Sequence, residues 1–310
     1  MKNSTNDQAS TLRLIASNKT PIDAPEVTSP HSDEVGGVKP VKTRSLAISG
    51  GKGGVGKSNL AVNVALELGS LGNNVSLLDA DFGLANADLL CGISSKYHLG
   101  HVIAGAKQLD EILVRVSPNV SILPSGSGIP ELSKFSLSEN SKILTQLKKM
   151  EHGLDFLLID CAAGVGDSVT GVLVAADEVV IVATPEPTSI VDAYATIKVI
   201  SRHAAEKPIS IVVNSVIGVG DAEKVYKQIN QAVNRFLSRD VHFLGMIPSD
   251  TQVTNAVRDQ TPLVRYAPET PASRAIRLIA KQIHTQTRSA SDPSDSAKSF
   301  WDQLSTSEPI

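Results

Sequence analysis

The chain alternates short, nearly continuous aliphatic runs with longer stretches in which apolar residues recur every three or four positions. The runs Ser45–Ser49, Val75–Leu78, Val120–Leu123, Phe156–Ile159, Val179–Ala183, Ile209–Val213 and Phe243–Ile247 predict strands. Most lack the polar alternation of a half-solvated strand, so they predict parallel strands covered on both faces. Between them, helical periodicity predicts helices over Lys57–Leu71, Ser138–Met150, Ile190–Ser201, Ala222–Phe236 and Pro271–His284. Such alternation predicts an α/β fold: a doubly wound, mostly parallel sheet flanked by helices.

Polar segments flank this central domain, 44–284. Residues 1–43 are rich in Ser, Thr, Asn, Asp and Pro, and Pro21, Pro25, Pro30 and Pro40 oppose any long helix, so a disordered segment is expected. Within it, about residues 7–16, Ala9, Leu12 and Ile15 fall on one helical face and predict a short helix. Residues 285–310 are again polar and are expected to form a flexible tail. There Phe300, Trp301 and Leu304 share a helical face, which reads either as a docking or membrane-interface anchor or as a tail folded back onto the core. The N-terminus lacks the apolar core of a signal peptide, and no apolar run is long enough for a membrane span. The expected location is cytoplasmic, with peripheral contact at the inner face of the cell membrane or the cell pole left open.

Composition narrows the chemistry. Over 310 residues, Lys+Arg 29 against Asp+Glu 32 leaves no broad basic field for nucleic acid. Two cysteines, Cys91 and Cys161, cannot form a disulfide framework or a structural zinc site, which fits a reducing compartment.

The strongest motif is Gly51-Lys52-Gly53-Gly54-Val55-Gly56-Lys57-Ser58, between a predicted strand and a predicted helix. That context makes it a phosphate loop. Its glycines allow backbone N–H groups to converge on phosphate oxygens, and the helix N-terminus adds partial positive charge. Lys57 is expected to contact the β- and γ-phosphates and the Ser58 hydroxyl to ligate Mg²⁺. Lys52 is a second lysine that an ordinary phosphate loop does not need.

Carboxylates follow two strands. Leu77-Leu78-Asp79-Ala80-Asp81 places two acids at a strand exit, where such sheets hold their ligand chemistry. Phe156-Leu157-Leu158-Ile159-Asp160 is an aliphatic strand ending in an acid, a form expected to hold Mg²⁺ through its water shell. Asn214, after Ile209–Val213, offers a donor and an acceptor to an adenine edge, with Pro248 against the same pocket. No Asn/Thr-Lys-x-Asp guanine-reading motif occurs, which favours ATP over GTP. Ser189 or Thr188 is expected to cap the helix that follows Pro187.

With these residues in view, the chain resembles the deviant Walker A, or MinD/ParA, family of ATPases over roughly residues 44–284. Within that family it is similar to the FlhG (FleN) group, which regulates flagellar number and placement. Three segments carry this: Asp79–Asp88, Glu186–Ala195 and Asp7-Gln8-Ala9-x-x-Leu12-Arg13. The resemblance implies that Lys52 reaches across an ATP-dependent homodimer to the partner's nucleotide. It also implies that Asp81 orients the attacking water, with Asp79 nearer the magnesium. Gln8, Leu12 and Arg13 would contact a signal-recognition-type GTPase partner, FlhF. Further implied partners are a flagellar switch or C-ring component, an enhancer-binding transcription activator, and a weakly or transiently bound membrane surface; no specific nucleic acid is expected. Alternatives in view are a division-site or plasmid-partition ATPase, and an anti-activator scaffold that binds nucleotide with little turnover.

Overall fold

The computed structural model describes residues 42–81, 86–126, 141–287 and 299–306. Gln8, Leu12 and Arg13 therefore lie outside the described residues, as do the first residues of the helix predicted from Ser138. The strands are β1 (Arg44–Ser49), β2 (Val75–Ala80), β3 (Val114–Ser117), β4 (Val120–Leu123), β5 (Phe156–Cys161), β6 (Glu178–Ala183), β7 (Ile209–Val216) and β8 (His242–Pro248). Helices α1 (Lys57–Ser70), α2 (Ala87–Leu90), α3 (Leu99–Ile103), α4 (Leu109–Ile112), α5 (Ser141–Glu151) and α6 (Asp167–Ala175) occupy the first half. In the second half come α7 (Pro187–His203), α8 (Val219–Leu237), α9 (Thr251–Arg258), α10 (Leu263–Tyr266), α11 (Pro271–Thr287) and α12 (Phe300–Thr306).

The eight strands form one sheet in the order β3-β4-β2-β5-β1-β6-β7-β8. Every pairing is parallel except β3 with β4. Every residue of β2 and β5 is buried, as expected of strands with helices on both faces. Alternate residues supply two separate cores: Ala47, Leu157, Ile159 and Ile181 on one side, Leu46, Ile48, Leu158 and Val180 on the other. The first core includes residues of α6, α7 and α8, and the second those of α1 and α11. In α1, Leu60 and Leu68 are almost wholly covered, each contributing about 1.5–3 kcal/mol by burial.

The structure adds one strand to the sequence reading and decides between two readings that it left open. Strand β3 is an antiparallel edge piece with only partial burial, so no apolar run announces it. The Phe300–Trp301 pair is not an exposed anchor: the two side chains are 1 % and 2 % exposed and belong to the first core. Their helix, α12, lies against α5 and α6. The Phe300 N–H donates to Glu151 Oε1 at 3.0 Å, and Lys148 pairs with Asp302. Helix α11 likewise buries Ile276, Ile279 and Ile283 against α1 and β8, so its apolar face is core. Among the described residues, no helix is long and apolar enough to cross a membrane.

Candidate active site

The C-terminal ends of β2, β5, β1, β6 and β7 lie side by side, and the loops leaving them build the site. After β1 the chain turns through the phosphate loop into α1. Gly56 makes this turn with φ of +96° and serves as the N-cap of α1. A side chain there would strike the Asn214 amide. Gly51 faces the first turns of α7, where a Cβ would stand 2.5 Å from that of Asp192. Glycine at these positions is thus a packing requirement of the loop itself.

Lys57 is buried and its ammonium donates to the Lys52 carbonyl at 3.3 Å. Burial pulls its pKa down, opposed by the carboxylates of Asp160 and then Asp81. The register sets Asp160 beside Ile48 of β1 and beside Asp79 of β2. Burial pushes Asp160 up to about 6, opposed first by a hydrogen bond with Ser58 and then by Lys57. Its Oδ1 is buried without a hydrogen-bond partner among the described residues. A buried carboxylate oxygen with no donor, beside a serine hydroxyl, fits a hard cation held by oxygen ligands.

Asp79 is differently engaged. Its Oδ1 accepts from Asp81 N at 3.2 Å, and its Oδ2 accepts from Asn86 N at 2.9 Å and Ala87 N at 3.0 Å. Burial first, and Asp160 second, push Asp79 up to about 7 despite those three donors. Asp81 is half-buried at the exit of β2. The Asn214 amide donates to the Val55 carbonyl at 2.8 Å while its oxygen accepts from Ser215 N, so it braces the phosphate loop directly. Pro248 ends β8 and pairs with Val216 of β7, the neighbouring strand. Beyond β5, Gly164 turns with φ of +97° and its N–H reaches the Gly50 carbonyl at 3.5 Å.

Lys52 points elsewhere. Its ammonium lies 2.5 Å from Glu186 Oε2 and 3.4 Å from Thr188 Oγ1, and its side chain is 42 % exposed. Glu186 is the N-cap residue of α7 by backbone geometry, with Pro187 opening the helix. Ser189 is not the cap; its hydroxyl accepts from Thr184 N at 3.0 Å.

A cavity of about 620 Å³ opens beside the phosphate loop, lined by Gly54, Gly56, Lys57 and Ser58. It is also lined by Asn86 at the head of α2, Leu89 and Leu90 of α2, and Val257, Arg258 and Gln260 from α9 and the loop after it. Asn86 falls within the Asp79–Asp88 segment, whereas the other five belong to no recognisable motif. Only the fold brings them to the loop.

Sheet order, phosphate loop and strand-end carboxylates define a P-loop nucleotide hydrolase. Residues 41–284 match the family described as ParA, NUBPL iron-transfer P-loop NTPase. The chain belongs to this ParA/MinD family of P-loop ATPases. It is 36 % identical over 250 residues to the antiactivator FleN of Pseudomonas aeruginosa, covering 81 % of this chain and 89 % of that protein. It is 33 % identical over 265 residues to the flagellum site-determining protein YlxH of Helicobacter pylori, covering 84 % and 90 %. Among solved structures, it is similar to the septum site-determining protein MinD of Pyrococcus horikoshii in complex with Mg-ADP. There the TM-score is 0.65 at 25 % identity, covering 81 % of this chain and 99 % of that one.

Proposed function

We propose that this chain is an ATP-dependent dimerising switch that regulates flagellar number and placement, binding ATP with Mg²⁺ and hydrolysing it slowly. One observation carries the switch reading. Lys52 sits in the phosphate loop, yet its ammonium is exposed and held outward by Glu186. A cation at the rim serves a nucleotide brought by a second copy, where it offsets phosphate repulsion as an arginine finger does. The flagellar reading rests on the likeness to FleN and YlxH.

In this reading the backbone N–H groups of Gly53, Gly54, Val55 and Gly56 face the phosphates, with Lys57 contacting the β- and γ-phosphates. Ser58 and Asp160 hold magnesium, which supplies charge neutralisation on the phosphates when bound. Asp81 orients the attacking water. The base and sugar end lies toward the outer cavity, with Asn214 fixing the loop and Pro248 on the β7–β8 side. Gln8, Leu12 and Arg13 are the proposed contacts to an FlhF-type GTPase. A flagellar switch component and an enhancer-binding activator are further proposed partners, with weak, transient contact at the membrane.

A second reading, an anti-activator scaffold with little turnover, is favoured by the function named for the P. aeruginosa relative. Phosphate release from ATP, with and without partner, separates the two: turnover raised by a partner supports the switch, and none under any condition supports the scaffold. A pull-down with residues 1–20 as bait tests the GTPase link, which fails if that peptide retains no such partner.

A further inference from the structure

Asp79 and Asp160 are register neighbours on adjacent parallel strands, yet their surroundings differ. Asp160 keeps one buried oxygen without a hydrogen-bond partner among the described residues. Asp79, only 2 % exposed, has both oxygens occupied by the chain itself, with three backbone N–H groups converging on them. One donor belongs to Asp81, and the other two belong to Asn86 and Ala87 at the start of α2. A single carboxylate thus ties the end of β2 to the beginning of α2.

The tie extends further. Helix α2 presents Leu89 and Leu90 to the cavity beside the phosphate loop. Just past it, Gly92 turns with φ of +67° and presses on the opposite wall, where an added Cβ would stand 2.8 Å from the Gln260 carbonyl. Gln260, itself at φ of +50°, lines the same cavity. Both walls and Asp81 are therefore connected through backbone contacts, with Asp79 at the junction.

We propose that Asp79 is a positioning residue, not a metal ligand: it couples the aspartate that orients water to the walls that hold the base and sugar of the nucleotide. The coupling makes hydrolysis depend on how the far end of the nucleotide fills its cavity. It rests on the nucleotide reading of that cavity. In Asp79→Asn, one acceptor oxygen becomes an NH₂ group facing a backbone N–H, so either the Asp81 anchor or the α2 anchor is lost.

The experiment compares wild type, Asp79→Asn and Gly92→Ala. In protein free of metal and nucleotide, amide hydrogen exchange at Asp81, Asn86 and Ala87 is expected to rise at least about 10-fold in Asp79→Asn, with β5 as protected as in wild type. With Mg-ATP, kcat is expected to fall about 100-fold, and the Mg²⁺ concentration for half-maximal rate to stay within about two-fold of wild type, a difference below ~0.4 kcal/mol. Gly92→Ala is expected to raise KM for ATP and lower kcat together. Unchanged exchange at the three amides, or a higher Mg²⁺ requirement with full kcat recovered at saturation, would overturn the proposal in favour of a metal ligand. If Asp79→Asn does not fold, Gly92→Ala decides, and wild-type kcat and KM in that variant would overturn the coupling. Absence of wild-type turnover at any Mg-ATP concentration would overturn the coupling by removing the hydrolysis it acts on, and loss of ADP binding by wild type in calorimetry would remove the nucleotide reading as well.

Discussion

Lys52 of the phosphate loop and Glu186 at the head of α7 are joined by an ion pair of 2.5 Å, across 134 positions of sequence. Both side chains are well exposed, so the pair contributes at most about 1 kcal/mol to folding. Glu186→Gln should therefore leave the unfolding midpoint almost unchanged and shift ATP-dependent self-association by no more than about five-fold. Lys52→Ala should abolish that association. Equal effects of the two substitutions in analytical ultracentrifugation would mean that Lys52 acts only as the partner of Glu186.

Asp160 combines a Ser58 hydrogen bond with a buried oxygen that finds no hydrogen-bond partner among the described residues. Asp160→Asn should weaken the Mg²⁺ dependence of hydrolysis by about 10- to 100-fold, the usual scale for a group acting through a metal's outer shell. Titration of the rate against Mg²⁺ checks this. An unchanged half-saturation point would assign the metal to other groups.

Gly56 needs both its left-handed backbone and its missing side chain, because the Asn214 amide occupies the space a Cβ would fill. Gly56→Ala should cost about 1–2 kcal/mol in backbone strain and break the 2.8 Å bond from Asn214 to Val55. The expected result is a folded protein with little nucleotide affinity, measured by calorimetry with ADP. Wild-type affinity would show that the loop tolerates the shift.

Trp301 is the only tryptophan of the chain and reports on α12 directly. Its burial predicts emission typical of an apolar site. Phe300→Ala, which opens a cavity beneath it, should cost about 3–5 kcal/mol and shift that emission to the red. Red-shifted emission already in the wild type would return the aromatic pair to the surface.

Glu151 gives α12 a pH dependence. Burial pushes its carboxyl above the ordinary value, outweighing the N–H groups of Phe300 and Trp301; Asp177 raises it further and His152 lowers it. A carboxyl with a raised folded pKa binds its proton more readily in the folded state. Its contribution is therefore full at acid pH and is lost as pH rises from the ordinary carboxylate range through the raised value. Chemical denaturation of wild type and Glu151→Gln across that range should show wild type losing stability relative to the variant as pH rises. Parallel curves would contradict it.

Much of this was legible in the sequence, for identifiable reasons. The seven aliphatic runs became β1, β2 and β4 to β8, because strands buried on both faces must be apolar throughout. Strand β3, with Val114 and Val116 only partly covered and Arg115 exposed between them, leaves no such trace. Helices α2, α3 and α4 are four or five residues long, too short for a helical period to appear. The phosphate loop was readable because its groups are contiguous. Arg258, Gln260, Leu89 and Leu90 were not, since folding alone brings them to one cavity. For Phe300 and Trp301, a polar neighbourhood left their surface and core readings open, and tertiary packing decided between them.

The central claim is that ATP assembles two copies through Lys52 and that hydrolysis separates them. Its most direct test is light scattering of wild type, Lys52→Ala and Asp81→Ala after size exclusion in Mg-ATP. Wild type should move from one-chain to two-chain mass and return as ATP is consumed. Asp81→Ala should stay at two-chain mass, and Lys52→Ala should never reach it. A wild-type mass indifferent to ATP, or Lys52→Ala dimerising and hydrolysing like wild type, would contradict the account.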